Sequence, residues 1–179
     1  MSTPRVFYIL PVLVFSACTG QPVATSRSPG LGAPVSAAEF APYDISIPPS
    51  GAGLPKGGGS ARQGLPVYEQ KCIACHGAKG VGKPADALAG GIGSLATAKP
   101  VRTVGSYWPY SSTLFDYVRR AMPITNPLSL SADEVYAVSA YVLFLNGIVG
   151  EDAVMNAQTL PLVKMPNRDG FINAWEDKR

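Results

Sequence analysis

The chain contains a single histidine, His76, and it closes the string Cys72-Ile73-Ala74-Cys75-His76. That string also holds two of the three cysteines, the third being Cys18. This arrangement excludes most sites that a small protein can build. One imidazole cannot serve both a Ser-His triad and a metal site, nor a multi-His zinc centre, nor a bis-His haem. Three cysteines cannot make a disulfide scaffold or a four-Cys cluster. What remains is the C-x-x-C-H pattern of covalent c-type haem attachment. Residues three apart on a helical turn share a face, so both thiols can reach the two vinyl groups on one porphyrin edge. The imidazole that follows lies beneath the iron as proximal ligand. Two other readings fit worse. A redox Cys-x-x-Cys follows a strand in a βαβ pattern, and none precedes Cys72. A zinc site needs four ligands, and this cluster supplies three. We therefore expect one covalently bound haem c, attached through Cys72 and Cys75, with His76 on the iron.

With no second histidine, the other axial position falls to a methionine or stays open. A thioether opposite an imidazole raises the potential towards that of an electron carrier. After the N-terminal segment the candidates are Met122, Met155 and Met165. Met122 lies in Arg119-Arg120-Ala121-Met122-Pro123, behind an amphipathic helical stretch with Leu114, Phe115 and Val118 apolar. Pro123 disfavours helical geometry at Met122, so the helix ends there and the thioether sits in a loop. Met165-Pro166 has similar local sequence but lies beyond the last helix. We take Met122 as the sixth ligand, with Met165 or an open site as alternatives.

Two helices frame this segment. Gly64-Leu65-Pro66-Val67-Tyr68 opens a short one, with Pro66 tolerated in its first turn. Ser131-Ala132-Asp133-Glu134 is a capping box, Ser131 being the N-cap. Val135, Val138, Val142 and Leu145 then recur at helical spacing, and Asn146-Gly147 is a stop signal.

The N-terminal third has a different character. Residues 1–17 read as a signal peptide: Arg5 is the one charge, and Val6 to Phe15 form an apolar run too short to span a bilayer. Small residues before Cys18 make it a candidate lipidation site. A soluble form after ordinary cleavage and an uncleaved anchor are the alternatives. Every version implies export. From Gly20 to Pro66 there are nine Gly and eight Pro among 47 residues, which no helix interior or central strand tolerates. Residues 18–38 read as a flexible tether, and residues 39–179 as the folded domain with extensions at both ends. Phe40, Tyr43, Ile45, Ile47 and Leu54 are expected to anchor an ordered wrap with little secondary structure.

Charge is sparse, at 15% of residues, which argues against a nucleic-acid binder. It is also uneven. Residues 71–122 carry seven basic and two acidic groups, whereas residues 123–179 carry four basic and seven acidic. A basic rim of Lys71, Lys79, Lys83, Lys99, Arg102, Arg119 and Arg120 would steer an acidic redox partner.

Longer strings carry a resemblance. Gly64 and Tyr68 resemble the Gly-x-x-x-aromatic pattern of class I cytochromes c, where a glycine lets the C-terminal helix cross closely; Tyr141 is the matching aromatic. Gly53-Leu54-Pro55-Lys56-Gly57-Gly58-Gly59, Val104-Gly105-Ser106-Tyr107-Trp108-Pro109-Tyr110 and Leu114-Phe115-Asp116-Tyr117-Val118-Arg119-Arg120-Ala121-Met122-Pro123 go further. So do Leu145-Asn146-Gly147-Ile148-Val149 and Lys164-Met165-Pro166-Asn167-Arg168-Asp169-Gly170-Phe171. Over roughly residues 39–172 the chain resembles the cytochrome subunits of bacterial sulfur oxidation, namely that of the Sox sulfane dehydrogenase complex and those partnering sulfite dehydrogenases.

The resemblance implies an all-α class I cytochrome c fold with an extended, Gly/Pro-rich N-terminal wrap. It implies His76 and Met122 as axial ligands and Cys72 and Cys75 as thioether positions. Pro84 resembles the proline whose carbonyl accepts from the proximal imidazole. Trp108, Tyr107 and Arg102 stand where such folds place donors to the haem propionates. In function it implies periplasmic electron transfer, from a molybdenum sulfite or sulfane dehydrogenase to a downstream c-type cytochrome or oxidase. The alternative is a haem enzyme acting directly on a small sulfur compound or peroxide, which needs an open or displaceable ligand and a nearby acid or base.

Overall fold

The computed structural model describes residues 31–172 together with Ala174 and Trp175. The signal segment 1–17, Cys18 and the first part of the tether lie outside the described residues. In chain order the elements are α1 (Ala37–Phe40), β1 (Gly58–Ser60), α2 (Ala61–Lys71), α3 (Ile73–His76), α4 (Val104–Tyr107), α5 (Ser111–Ala121), α6 (Ala132–Leu145) and β2 (Val154–Asn156). Short 3₁₀ turns follow α3 and β2, at Ala78–Gly80 and Leu160–Leu162. Among the described residues no helix is long and apolar enough to cross a membrane.

The C-terminal helix α6 is the centre of the molecule. Its capping box forms as the sequence predicts: Glu134 N–H donates to Ser131 Oγ at 3.2 Å, and Ser131 N–H to Glu134 Oε2 at 2.7 Å. From Val135 to Leu143 every residue is buried. A helix apolar on all sides must be covered on all sides. Helix α2 crosses one face, α5 lies on another, and the β1–β2 pair closes a third.

The α2–α6 crossing depends on absent side chains. A Cβ on Gly64 would run into the backbone carbonyl of Ala137 and lie 2.8 Å from Tyr141 Cβ. One on Gly59 would lie 2.6 Å from Ala137 Cβ. Both glycines therefore bring their backbones against the same alanine of α6. One turn further along, the Tyr68 and Tyr141 rings pack at a tilt of 54°, 5.2 Å between centroids.

One expectation needs correction. Helix α2 starts at Ala61 rather than at Gly64. Ser60 is its N-cap, with Gln63 completing a capping box, so Pro66 falls inside the helix instead of in its first turn. The fold is helical as expected, with one short ladder added: β1 and β2 pair antiparallel with Gly59 opposite Met155. Gly58 and Gly59 carry little strand propensity, and the pair exists because Gly59 fits against Ala137.

Between α1 and β1 the chain runs along α5 and α6 without regular structure. Ile47 is 4% exposed and belongs to the core. Its N–H donates to Asp116 Oδ1 at 2.8 Å, and Ser112 Oγ donates to Pro49 O at 2.9 Å. Tyr136 OH donates to Pro55 O at 2.8 Å. The apolar residues further upstream do not anchor. Tyr43 is 80% exposed and Phe40 55%, so burial begins only where α5 offers a partner for the backbone.

Asp116 has an acid-base consequence. Burial pushes its carboxyl up. The Arg120 hydrogen bond, the Ile47 N–H and the charges of Arg120 and Arg119 outweigh burial, and the net shift is downward. A group whose folded pKa is lowered stabilises the fold above its unfolded value, about 3.9 for aspartate. That contribution is lost as pH falls through the folded value. We predict that acid unfolding followed by circular dichroism below about pH 4 is less steep in Asp116→Asn, which lacks this titration, than in the unaltered chain.

Candidate haem site

The attachment motif forms one tight turn. Cys72 ends α2 and begins α3, with its own N–H bonded to Tyr68 O at 2.9 Å. Cys75 and His76 N–H both return to Cys72 O, at 3.1 and 2.9 Å. Gly77, at φ 71°, stops the turn in a backbone conformation that favours glycine. Its carbonyl accepts from Tyr68 OH at 2.8 Å, which ties the turn back to α2. Burial, with the Cys72 charge adding to it, pushes the Tyr68 hydroxyl up to about 12, so it stays a donor.

His76 is held by the loop that follows. Gly82 N–H bonds His76 O at 2.8 Å and Ala85 N–H bonds Cys75 O at 2.9 Å. These two bonds fold the loop back, and the carbonyl that reaches the ring belongs to Asp86, 2.8 Å from His76 Nδ1. This corrects Pro84 as the acceptor: the ties at Gly82 and Ala85 carry Pro84 past the ring and present Asp86 instead. An Nδ1–H given to a carbonyl leaves Nε2 as the nitrogen with a lone pair for a metal.

Cys72, Cys75 and His76 open on a cavity of about 440 Å³. Helix α6 contributes Val138 and Val142, α5 contributes Leu114, Tyr117 and Val118, and Leu88, Val104 and Trp108 complete much of the wall. Met122 lies on the same wall, beside Pro123 and Ile124. It is the C-cap of α5, with φ −121° and ψ 144°, the extended geometry that Pro123 demands. Met155 and Met165 go elsewhere. They are 5% and 1% exposed and fill the core. The structure thus gathers two thiols, an imidazole and one thioether around an apolar space of cofactor size. These donors and walls fit a haem c.

Other uses of the motif fit less well. Burial, and then Cys75, push the Cys72 thiol up to about 11, whereas a redox-active dithiol needs a depressed value. Among the described residues no three His, Cys, Asp or Glu side chains are grouped to hold a metal ion.

The outer positions divide. Trp108 is in the wall and meets Tyr117 edge-on at 5.6 Å. Tyr107 and Arg102 are not wall residues. Tyr107 turns to Phe171, 5.3 Å away, with the Arg102 guanidinium 5.5 Å over its ring. The expected basic rim is thinned likewise. Arg120 is bound to Asp116, Arg119 Nη1 donates to Ile45 O at 3.4 Å, and Lys71 reaches the cavity edge.

The sequence reading overlooked Asn146. Its Nδ2 donates to Leu88 O and Val142 O, at 3.0 and 2.9 Å, and its Oδ1 accepts from Gly90 N–H at 3.0 Å. It fastens the loop carrying Leu88, a wall residue, to the end of α6. As half of an Asn-Gly stop signal it gave no hint of this.

The site and fold together define a c-type cytochrome domain, and comparison with known proteins gives it relatives. Residues 59–142 match the family described as cytochrome C oxidase, cbb3-type, subunit III. A chain of the crystal structure of the sulfane dehydrogenase SoxCD from Paracoccus pantotrophus is 39% identical, with a TM-score of 0.77. That match covers 84% of this chain and 75% of the other. No curated protein matches. The chain belongs to the c-type cytochromes, whose members bind haem c covalently and transfer electrons.

Proposed function

We propose that this protein is a mono-haem cytochrome c that takes single electrons from a molybdenum sulfite or sulfane dehydrogenase and passes them to a downstream cytochrome or oxidase. The observation that carries this reading is that Cys72, Cys75, His76 and Met122 line one apolar cavity. In this reading Cys72 and Cys75 would hold the haem by thioether bonds, and His76 and Met122 would ligate its iron. When bound, the haem supplies a one-electron couple between ferric and ferrous iron.

The polypeptide's task is to keep that couple simple. His76 is oriented by Asp86 O, so its ligating nitrogen stays in place in both states. Met122, seated at the end of α5 on the cavity wall, would leave a bound iron no open position for a substrate. The valines and leucines of α5 and α6 exclude water and keep the pocket at low dielectric. Lys71 at the cavity edge, with the exposed Lys79 and Lys83 nearby in sequence, favours an acidic partner surface.

Export to the periplasm follows from the signal-like residues 1–17, and attachment to the membrane from lipidation at Cys18. In this organisation residues 18–38 tether a domain of residues 39–179, and the segment before β1 wraps it. Similarity to a chain of SoxCD supports a sulfur-compound dehydrogenase as donor.

The test is reduction by candidate donors. Oxidised protein is mixed with a sulfane dehydrogenase or a sulfite dehydrogenase and the matching substrate, and haem reduction is followed by absorbance. Reduction that requires both dehydrogenase and substrate is expected with one of the two. Reduction by neither removes the donor assignment. Reduction by the sulfur compound alone favours a haem enzyme instead.

A further inference from the structure

Helix α5 ends on Met122, whose N–H closes the last helical bond to Val118 O at 3.0 Å. Leu114 and Val118 face the cavity, and Phe115 lies in the core. Ser112, Asp116 and Arg119 are spaced as one stripe of the helix surface. The irregular segment 45–49 covers that stripe. Ser112 Oγ holds Pro49 O at 2.9 Å, Asp116 Oδ1 accepts Ile47 N–H at 2.8 Å, and Arg119 reaches Ile45 O at 3.4 Å. The Arg120 guanidinium closes on both Asp116 oxygens, Nε donating at 3.0 Å. Asp116 is 8% exposed and Ile47 4%. A buried carboxylate with three donors on it has one low-energy arrangement, because losing a partner leaves a buried charge poorly satisfied.

We propose that Asp116 is a positioning residue for the sixth ligand: through it, segment 45–49 straps α5 in the orientation that keeps the Met122 sulfur in the cavity. This rests on the reading of Met122 as an iron ligand. A second aspartate, exposed rather than buried, also ties the chain to a helix. Asp133 Oδ1 accepts Gly58 N–H at 2.8 Å and fastens the chain to the start of α6, a different helix from the one that ends on Met122. The proposal assigns control of the ligand to the first tie and none to the second.

The experiment uses the full-length holoprotein and its Asp116→Ala, Ser112→Ala and Asp133→Ala variants. Two readouts are followed: the weak far-red sulfur-to-iron band of the oxidised form, and the rate of cyanide binding. In Asp116→Ala the band should weaken and cyanide should bind about tenfold faster. That corresponds to about 1.4 kcal/mol, the low end of what a hydrogen bond to a charged group contributes. Ser112→Ala should move both readouts the same way by less, and Asp133→Ala should match the unaltered protein. An unchanged band and rate in a folded, haem-loaded Asp116→Ala would overturn the proposal. So would an equal change in Asp133→Ala, which marks general loosening. Should Asp116→Ala not fold, an unchanged Ser112→Ala would overturn it. Absence of the band in the unaltered protein would instead remove Met122 as ligand, a failure of the underlying reading that the variants cannot mimic.

Discussion

Met122→Ala will convert the oxidised protein from a six-coordinate low-spin to a high-spin form, abolish the far-red band and open the iron to cyanide. The reduction potential will fall by on the order of 0.1 V or more, a modest part of the ~0.8 V over which axial ligands tune haem. His76 is the single histidine, and Met122 is the one described methionine on the cavity wall. Met155 is fixed in β2 opposite Gly59, and Met165 is 1% exposed in the core. Neither can move to the cavity without dismantling the packing around α6. The visible spectrum and a cyanide titration check this. A variant with an unchanged spectrum would show that another group ligates the iron.

Gly64→Ala will lower the melting temperature of the holoprotein by roughly 10 °C. The new methyl would collide with the Ala137 carbonyl, which belongs to helix backbone and cannot rotate aside. Overpacking of this kind costs about 3 kcal/mol at the upper end of its usual range, and a domain of this size loses a few degrees for each kcal/mol. The displacement would also be felt in the site, because Val138 and Val142 of α6 wall the cavity. Gly150→Ala makes the comparison clean. A Cβ there meets nothing within 4 Å, so its melting temperature should stay within about 2 °C of the parent. Differential scanning calorimetry of both variants distinguishes a packing effect from a general cost of losing glycine.

The parts of this protein that could be read in its sequence are those fixed by local chemistry. Ser131 and Glu134 three residues later specify the start of α6 wherever the helix packs. Pro123 makes Met122 extended whatever surrounds it. The absence of a Cβ at Gly64 is a statement about how closely another backbone can come, and Ala137 and Tyr141 come that close. The parts that could not be read depend on distant partners. Asp116 looks like the polar side of an amphipathic helix, and it is buried because segment 45–49 crosses it. Asp86 rather than Pro84 faces the imidazole because bonds at Gly82 and Ala85 set the path of the loop. Strand β1 is two glycines and a serine, and only its fit against α6 makes it a strand. The start of α2 is legible in Ser60 and Gln63, whose capping box sets the boundary even though it leaves Pro66 inside the helix.

In the proposed reading one haem, held by His76 and Met122, works as a one-electron carrier. A spectroelectrochemical titration of the purified holoprotein tests it most directly. We expect a single reversible one-electron wave, low-spin spectra in both states and a far-red band that disappears on reduction. A high-spin spectrum in either state, or two separate waves, would contradict it.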